Sequence, residues 1–139
     1  MIDRVLVPMD GSDLAAKALR YALETYDDAD ITVLHVVGTS TPMMGEMAGL
    51  AFEDDLPAAV EERAESVFES ASGIAAEYDT ELRTVVAVGH PARTIVDRSK
   101  EFDTVVIGSH SGSLAERLFV GNVAETVFRR APVPVVVVR

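Results

Sequence analysis

The sequence contains no cysteine among its 139 residues. That excludes disulfides, thiolate zinc sites, iron–sulfur clusters and a cysteine nucleophile. Lysine is nearly as scarce: it occurs only at Lys17 and Lys100, so ten of the 12 basic residues are arginine. Against those 12 stand 23 aspartates and glutamates, for a net charge of −11 at pH 7. A surface so acidic repels phosphate backbones and anionic lipid, which excludes nucleic acid and membrane surfaces as partners. The arginine bias resembles that of proteins from salt-loving organisms, where ions screen the repulsion, although an ordinary acidic domain shares the same arithmetic. No apolar run approaches the ~18 residues of a membrane span. The opening MIDRVLVPMD enters a strand-like run without a leader pattern, and the expected compartment is the cytoplasm. Also missing are a Walker A loop, a GxGxxG turn after the first strand, a repeat of solenoid period and a low-complexity linker.

What remains is a chain that is 48% hydrophobic with a mean hydropathy of +0.20. A chain of this length buries about 68–70% of its unfolded surface, which predicts one folded domain over residues 1–139. The run RVLVPM (4–9) reads as a strand, closed by the turn residues Asp10, Gly11 and Ser12. A helix follows, with Leu14, Ala18, Leu19, Ala22, Leu23 and Tyr26 on one apolar stripe. ITVLHVV (31–37) is apolar nearly throughout, as in a strand covered on both faces of a parallel sheet. Residues 39–55, with Met43, Met44 and Met47, keep no period and read as a long loop. The longest helix is predicted over 56–78, then a strand over 81–88, a helix from Pro91 toward Phe102 and a strand over 103–107. A glycine- and serine-bearing loop over 108–121, a short helix over 122–130 and a strand over 133–138 complete the chain. Alternating strands and helices joined by right-handed crossovers give an α/β fold, a parallel sheet with helices on both faces.

In such a sheet, ligands bind beyond the carboxyl ends of the strands where the strand order reverses. Small or polar residues gather at three of those ends: Met9-Asp10-Gly11-Ser12, Val37-Gly38, and GSHSGS (108–113). The third leads through Gly121-Asn122-Val123 into a helix, so free main-chain N–H groups converge where a phosphate could sit. Glycine there permits positive φ and close approach of a ligand; a plain strand-to-helix connection uses the same residues, and spacing alone does not separate the two.

The opening VLVPMDGS, the strand ITVLHVV, the run VGHPARTIVDRSKEFDTVVIGSH, the glycine loop and the terminal PVPVVVVR together resemble the universal stress protein family over nearly the whole length. The resemblance implies a Rossmann-like, adenine nucleotide alpha hydrolase-like fold, an open five-stranded sheet in the order 3-2-1-4-5, and a homodimer built through the last strand. It implies a stress-response module, regulatory or protective, that binds ATP or another adenine nucleotide. ATP-binding members carry glycine, two residues, glycine, nine residues, glycine, then serine or threonine. In this register Gly108 and Gly121 match, whereas Ser111 replaces the second glycine and Asn122 the hydroxyl residue. A serine held in left-handed geometry costs about 1–2 kcal/mol, and Gly112 next to it offers a one-residue shift. The resemblance assigns Asp10 to ribose or adenine, Pro8 and Val37 to the base, and Gly108, Gly121, Asn122 and Val123 to ribose and phosphates. The two departures keep open a family member that binds no nucleotide and acts as a dimeric interaction protein.

His35, inside an apolar strand, reads as a hydrogen-bonded core residue, and His90 as the start of a helix. His110 lies in the glycine loop, with no neighbouring carboxylate to orient it as a base, so enzymatic turnover is at most a slow ATP hydrolysis. No protein-only metal site is expected; Mg²⁺ would arrive with a nucleotide. Asp10 also suits the simpler role of capping the first helix with Ser12. Arg129 and Arg130 suit a helix C-terminus without any ligand. The unbroken VVVV near the C-terminus predicts an edge strand that a second chain would cover.

Overall fold

A computed structural model describes residues 1–38, 58–110 and 121–139. The β-branched opening run forms β1 (Arg4–Pro8), buried in all but its first residue. Strands and helices then alternate: α1 (Asp13–Thr25), β2 (Asp30–Val37), α2 (Ala58–Ala76), β3 (Arg83–Val88), α3 (Pro91–Ser99), β4 (Thr104–Gly108), α4 (Asn122–Arg130) and β5 (Val135–Val138). The methionine-bearing loop predicted over 39–55 lies outside the described residues.

All strand pairs are parallel, in the order β3-β2-β1-β4-β5. From β1 the chain first builds outward to β2 and β3, then returns to add β4 and β5 on the other side. The strand order therefore reverses between β1 and β4, and Pro8 and Gly108, at the carboxyl ends of these two strands, line one crevice. Strand parity divides the core. Val5, Val7, Ile31, Val33 and Val106 meet α1 and α2 on one face; Leu6, Leu34, Val105 and Ile107 meet α3 and α4 on the other. Such two-sided coverage explains why Ile31–Val37 of β2 is buried or half-buried throughout and mostly apolar.

Local chemistry sets the ends of the elements. Ser12 caps α1, its Oγ accepting from the Ala15 N–H at 3.2 Å, while Asp10 Oδ1 accepts from the Ser12 N–H at 2.9 Å. Gly11 between them has φ +88°, a conformation that needs glycine. His35 is buried, and its Nδ1 donates to the Met9 carbonyl at 2.9 Å, tying β2 to the end of β1. His90 caps α3 through its own Nδ1 and the Arg93 N–H.

Several boundaries differ from the sequence prediction by one to three residues, β3 starting at Arg83 rather than at 81, and three of them have a visible reason. α3 stops at Ser99 rather than near Phe102, because Ser99 Oγ bonds the Val96 carbonyl at 2.6 Å and the Glu101 and Phe102 N–H groups turn back three residues. β5 starts at Val135, since Pro134 has no N–H to give; its carbonyl instead accepts from the Val105 N–H and Thr104 Oγ1. α2 ends at Ala76, followed by Asp79 at φ +53° and a Thr80 N–H that closes onto the Ala75 carbonyl.

Candidate functional site

Above the crevice lies a cavity of about 610 Å³. Its floor and one wall come from alternate residues of the α3–α4 face: Leu34 and Val36 of β2, Ile107 of β4 and Ile95 of α3. The opposite rim is the β1–α1 loop with Pro8, Met9, Asp10 and Ser12. Gly108 and His110 from the end of β4, and Gly121 through Ala124 at the start of α4, close the remaining side.

The start of α4 is the polar feature of this hollow. Gly121 is the N-cap and supplies no side-chain hydrogen bond to the helix. The first N–H to find a helical partner is that of Glu125, which bonds the Gly121 carbonyl at 2.9 Å. The N–H groups of Asn122, Val123 and Ala124 therefore have no helical partner and none among the described residues, and they stand at the positive end of the helix dipole. The Gly121 N–H itself bonds the Ser109 carbonyl, which fastens the helix start to the end of β4.

Two glycines owe their size to the packing of this junction. A Cβ on Gly108 would stand 3.2 Å from the Leu14 carbonyl carbon and oxygen in α1. One on Gly121 would stand 3.2 Å from both Ser109 O and His110 Cα. Positive φ is confined among the described glycines to Gly11 and Gly89, so these two loop glycines allow close approach of chain to chain rather than left-handed backbone.

The structure brings Pro8, Asp10, Gly108, Gly121, Asn122 and Val123 together around one cavity. Val37 does not line it: by strand parity it falls with Ile31, Val33 and His35 on the face of α1 and α2, and Val36 takes the wall position. Ser111 and Gly112 lie outside the described residues, as does Arg117. Reasoning from sequence passed over Ala15, Leu34, Val36, Pro91, Ile95, Ile107 and Ala124, all of which line the cavity. Pro91 had a usable signal, since it follows directly on the carboxyl end of a predicted strand.

Asp10 is exposed, with Oδ1 engaged by the Ser12 N–H, and its main-chain carbonyl accepts from the Arg63 guanidinium of α2 at 3.2 Å. His110 Nδ1 and Ser109 Oγ are buried and find no partner among the described residues. No group of three or more His, Cys, Asp or Glu residues among the described residues could hold a metal ion, and no described helix is long and apolar enough to cross a membrane.

Comparison with known proteins agrees with this architecture. The chain is 30% identical over 148 residues to universal stress protein YxiE of Bacillus subtilis, covering 100% of both chains. It is 29% identical over 140 residues to universal stress protein MJ0531 of Methanocaldococcus jannaschii, covering 98% of this chain and 81% of the other. The solved structure of MJ0577 from the same archaeon superposes with a TM-score of 0.78 at 26% identity, over 99% of this chain and 96% of that one. The universal stress protein of Archaeoglobus fulgidus in complex with dAMP shares the fold at a TM-score of 0.70 and 22% identity, over 100% and 98% of the two chains. Two further structures with the same fold, at TM-scores of 0.66, are of a universal stress protein with cAMP and of an Arabidopsis thaliana family protein with AMP bound. With the family's sequence model matching residues 1–139 and a 30% identical relative spanning both chains, the chain belongs to the universal stress protein family.

Proposed function

We propose that the cavity over the β1–β4 crevice binds an adenine nucleotide, ATP or AMP among them, and that the protein is a regulatory or protective module of a stress response. One observation carries this reading: the uncapped start of α4, whose first three N–H groups have no partner among the described residues, lines a hollow whose other wall is apolar. Leu34, Val36 and Ile95 offer a surface for the base, and Asp10 accepts from ribose hydroxyls. The N–H groups of Asn122, Val123 and Ala124 receive a phosphate. A volume of about 610 Å³ suits a ligand of nucleotide size. Main-chain donors do not depend on side-chain identity, so the replacement of a hydroxyl residue by Asn122 leaves them in place. The dAMP, cAMP and AMP complexes of fold neighbours support the ligand class. Ser111 and Gly112 belong to the proposed phosphate loop through the register of the motif, and Mg²⁺ would enter on the phosphates. Hydrolysis is not required of the site: Asp10 Oδ1 is engaged by the main chain, and His110 Nδ1 has no orienting partner among the described residues.

Calorimetric titration with ATP, ADP, AMP and cAMP, with and without Mg²⁺, tests the proposal. Saturable heat for at least one of them is expected, and flat traces up to millimolar ligand refute it. That second outcome favours the dimeric interaction protein, a reading with its own observation. Among the described residues β5 pairs only with β4, and its Val135, Val136 and Val137 stay half-buried, with Phe128 52% exposed on the adjoining helix. A homodimer formed through the outer edge of β5 would cover that edge. Light scattering at micromolar concentration in high salt is expected to report twice the chain mass; a monomer refutes the dimer.

A further inference from the structure

α2 carries Glu61, Glu62, Glu65 and Glu69 and a single cation, Arg63, which is spaced away from all of them. Ion pairs on a helix surface form at three- and four-residue spacing, and these glutamates stand one, two or six residues from Arg63. The guanidinium forms no ion pair with a described carboxylate. It reaches instead to the β1–α1 loop, where Nη2 donates to the Asp10 main-chain carbonyl at 3.2 Å. Val67, one turn further along α2 and buried, touches the same loop. A Cβ on Gly11 would stand 3.5 Å from Val67 Cγ2 and 3.7 Å from Arg63 Nη2. α2 thus meets the loop at the Asp10–Gly11 peptide, although Arg63 does not line the cavity and α2 covers the opposite face of the sheet from α3 and α4.

That peptide has little of its own to hold it. Gly11 has φ +88°, and glycine adopts the mirror conformation about as readily, so the residue itself does not fix which way the Asp10 carbonyl points. Two bonds do: Arg63 holds the carbonyl, and the Ser12 N–H holds carboxylate Oδ1 at 2.9 Å. We infer that Arg63 is a positioning residue for Asp10, so that selectivity for a sugar bearing both ribose hydroxyls is set from α2, outside the cavity. The inference rests on the nucleotide reading of the cavity, with Asp10 as the acceptor for ribose. Without the guanidinium the Asp10–Gly11 peptide is free to turn, which draws Oδ1 off the Ser12 N–H and the carboxylate away from the sugar. The surfaces for base and phosphate belong to β2, α3 and α4 and stay in place.

The test is calorimetric titration of ATP and of dideoxy-ATP, which lacks both ribose hydroxyls, into the wild-type chain, Arg63→Met and Arg63→Lys. Arg63 is exposed, so Arg63→Met, which keeps an apolar stem and removes the donor, should melt within about 2 °C of wild type. Wild type should prefer ATP over dideoxy-ATP by about tenfold. Arg63→Met should weaken ATP by about threefold to tenfold, the size of one hydrogen bond to a charged group, and leave dideoxy-ATP within about twofold. Arg63→Lys keeps a donor and should fall between the two. In an Asp10→Ala background, Arg63→Met should cost ATP nothing further. Hydrogen exchange at the Ser12 amide reads the same loop without ligand and should quicken in Arg63→Met. Three results overturn the inference and leave nucleotide binding intact: ATP and dideoxy-ATP weakened alike or not at all, a wild type that does not distinguish them, or an unchanged Ser12 amide. A wild-type chain that binds neither nucleotide overturns both readings together.

Discussion

Two glycines in this chain should answer the same substitution with opposite signs. Gly121 stands at the N-cap of α4 with φ −68° and ψ 159°, angles that alanine adopts without strain. The obstacle is space: an alanine Cβ there would lie 3.2 Å from Ser109 O and His110 Cα and 3.4 Å from His110 Cβ. Two of those atoms are main chain, already fastened to Gly121 by its own N–H bond to the Ser109 carbonyl. The helix start must therefore move off the end of β4 by a few tenths of an ångström. Overpacking of this kind costs about 1–3 kcal/mol, and loss of glycine at an N-cap adds a few tenths more. For a chain of 139 residues that lowers the melting temperature by roughly 3–12 °C. Gly73, in the last turn of α2, is exposed and would present its Cβ to open space. Its replacement by alanine removes only the entropic penalty of glycine in a helix, so it should stabilise by about 0.5–1 kcal/mol. Melting curves followed by circular dichroism decide the matter. Gly121→Ala melting at or above wild type, or Gly73→Ala melting below it, contradicts the packing described at these two positions. Because the same displacement spreads the α4 donors, Gly121→Ala should also weaken nucleotide binding by about tenfold, the size of one misplaced charge-assisted contact.

Three further outcomes can be measured on the same material. Asp79→Gly should stabilise the chain by up to about 1 kcal/mol, since the residue holds φ +53° at the end of α2, and an unchanged or lower melting temperature argues against strain there. The Asp103 carboxylate accepts from the Asp3 and Arg4 N–H groups, both at 2.9 Å, which holds its pKa below the ordinary 3.8. Its contribution is present above the unfolded-state value and vanishes as pH falls through the folded one, so the stability deficit of Asp103→Ala should be full at pH 6 and shrink to nothing in acid; a pH-independent deficit refutes the linkage. Raising KCl from about 0.1 to about 1 M shortens the screening length from ~10 to ~3 Å and should raise the melting temperature of a chain carrying −11 charges; a fall would show that self-repulsion is not the dominant surface term.

The alternation of strands and helices and most of the cavity rim were accessible from residue types alone, whereas the strand order came from the resemblance to the family. The rim lies where turn residues interrupt β-branched runs, and turn chemistry is local: Asp10, Gly11 and Ser12 shape their loop through bonds among themselves and to Ala15. The start of α4 was accessible for the same reason, a glycine followed by helix-forming residues. Boundaries failed where a bond outside the local pattern decided them. Ser99 turns its hydroxyl onto Val96, and Pro134 lends its carbonyl to a neighbouring strand. Glycine was read correctly in position and only partly in cause. Sequence shows that a Cβ is absent at Gly108 but not that Leu14 stands where it would be.

The exchange of Val37 for Val36 has a deeper origin. A strand with one face in water announces its phase, because polar residues mark every second position. β2 is covered on both faces, so Ile31 through Val37 are apolar or buried at nearly every position, and its pattern carries length without phase. The phase enters from outside the strand, through the register Pro8↔Leu34 with β1 and through His35, whose imidazole must reach the Met9 carbonyl on the α1–α2 face. Once His35 points that way, Leu34 and Val36 must point to the cavity.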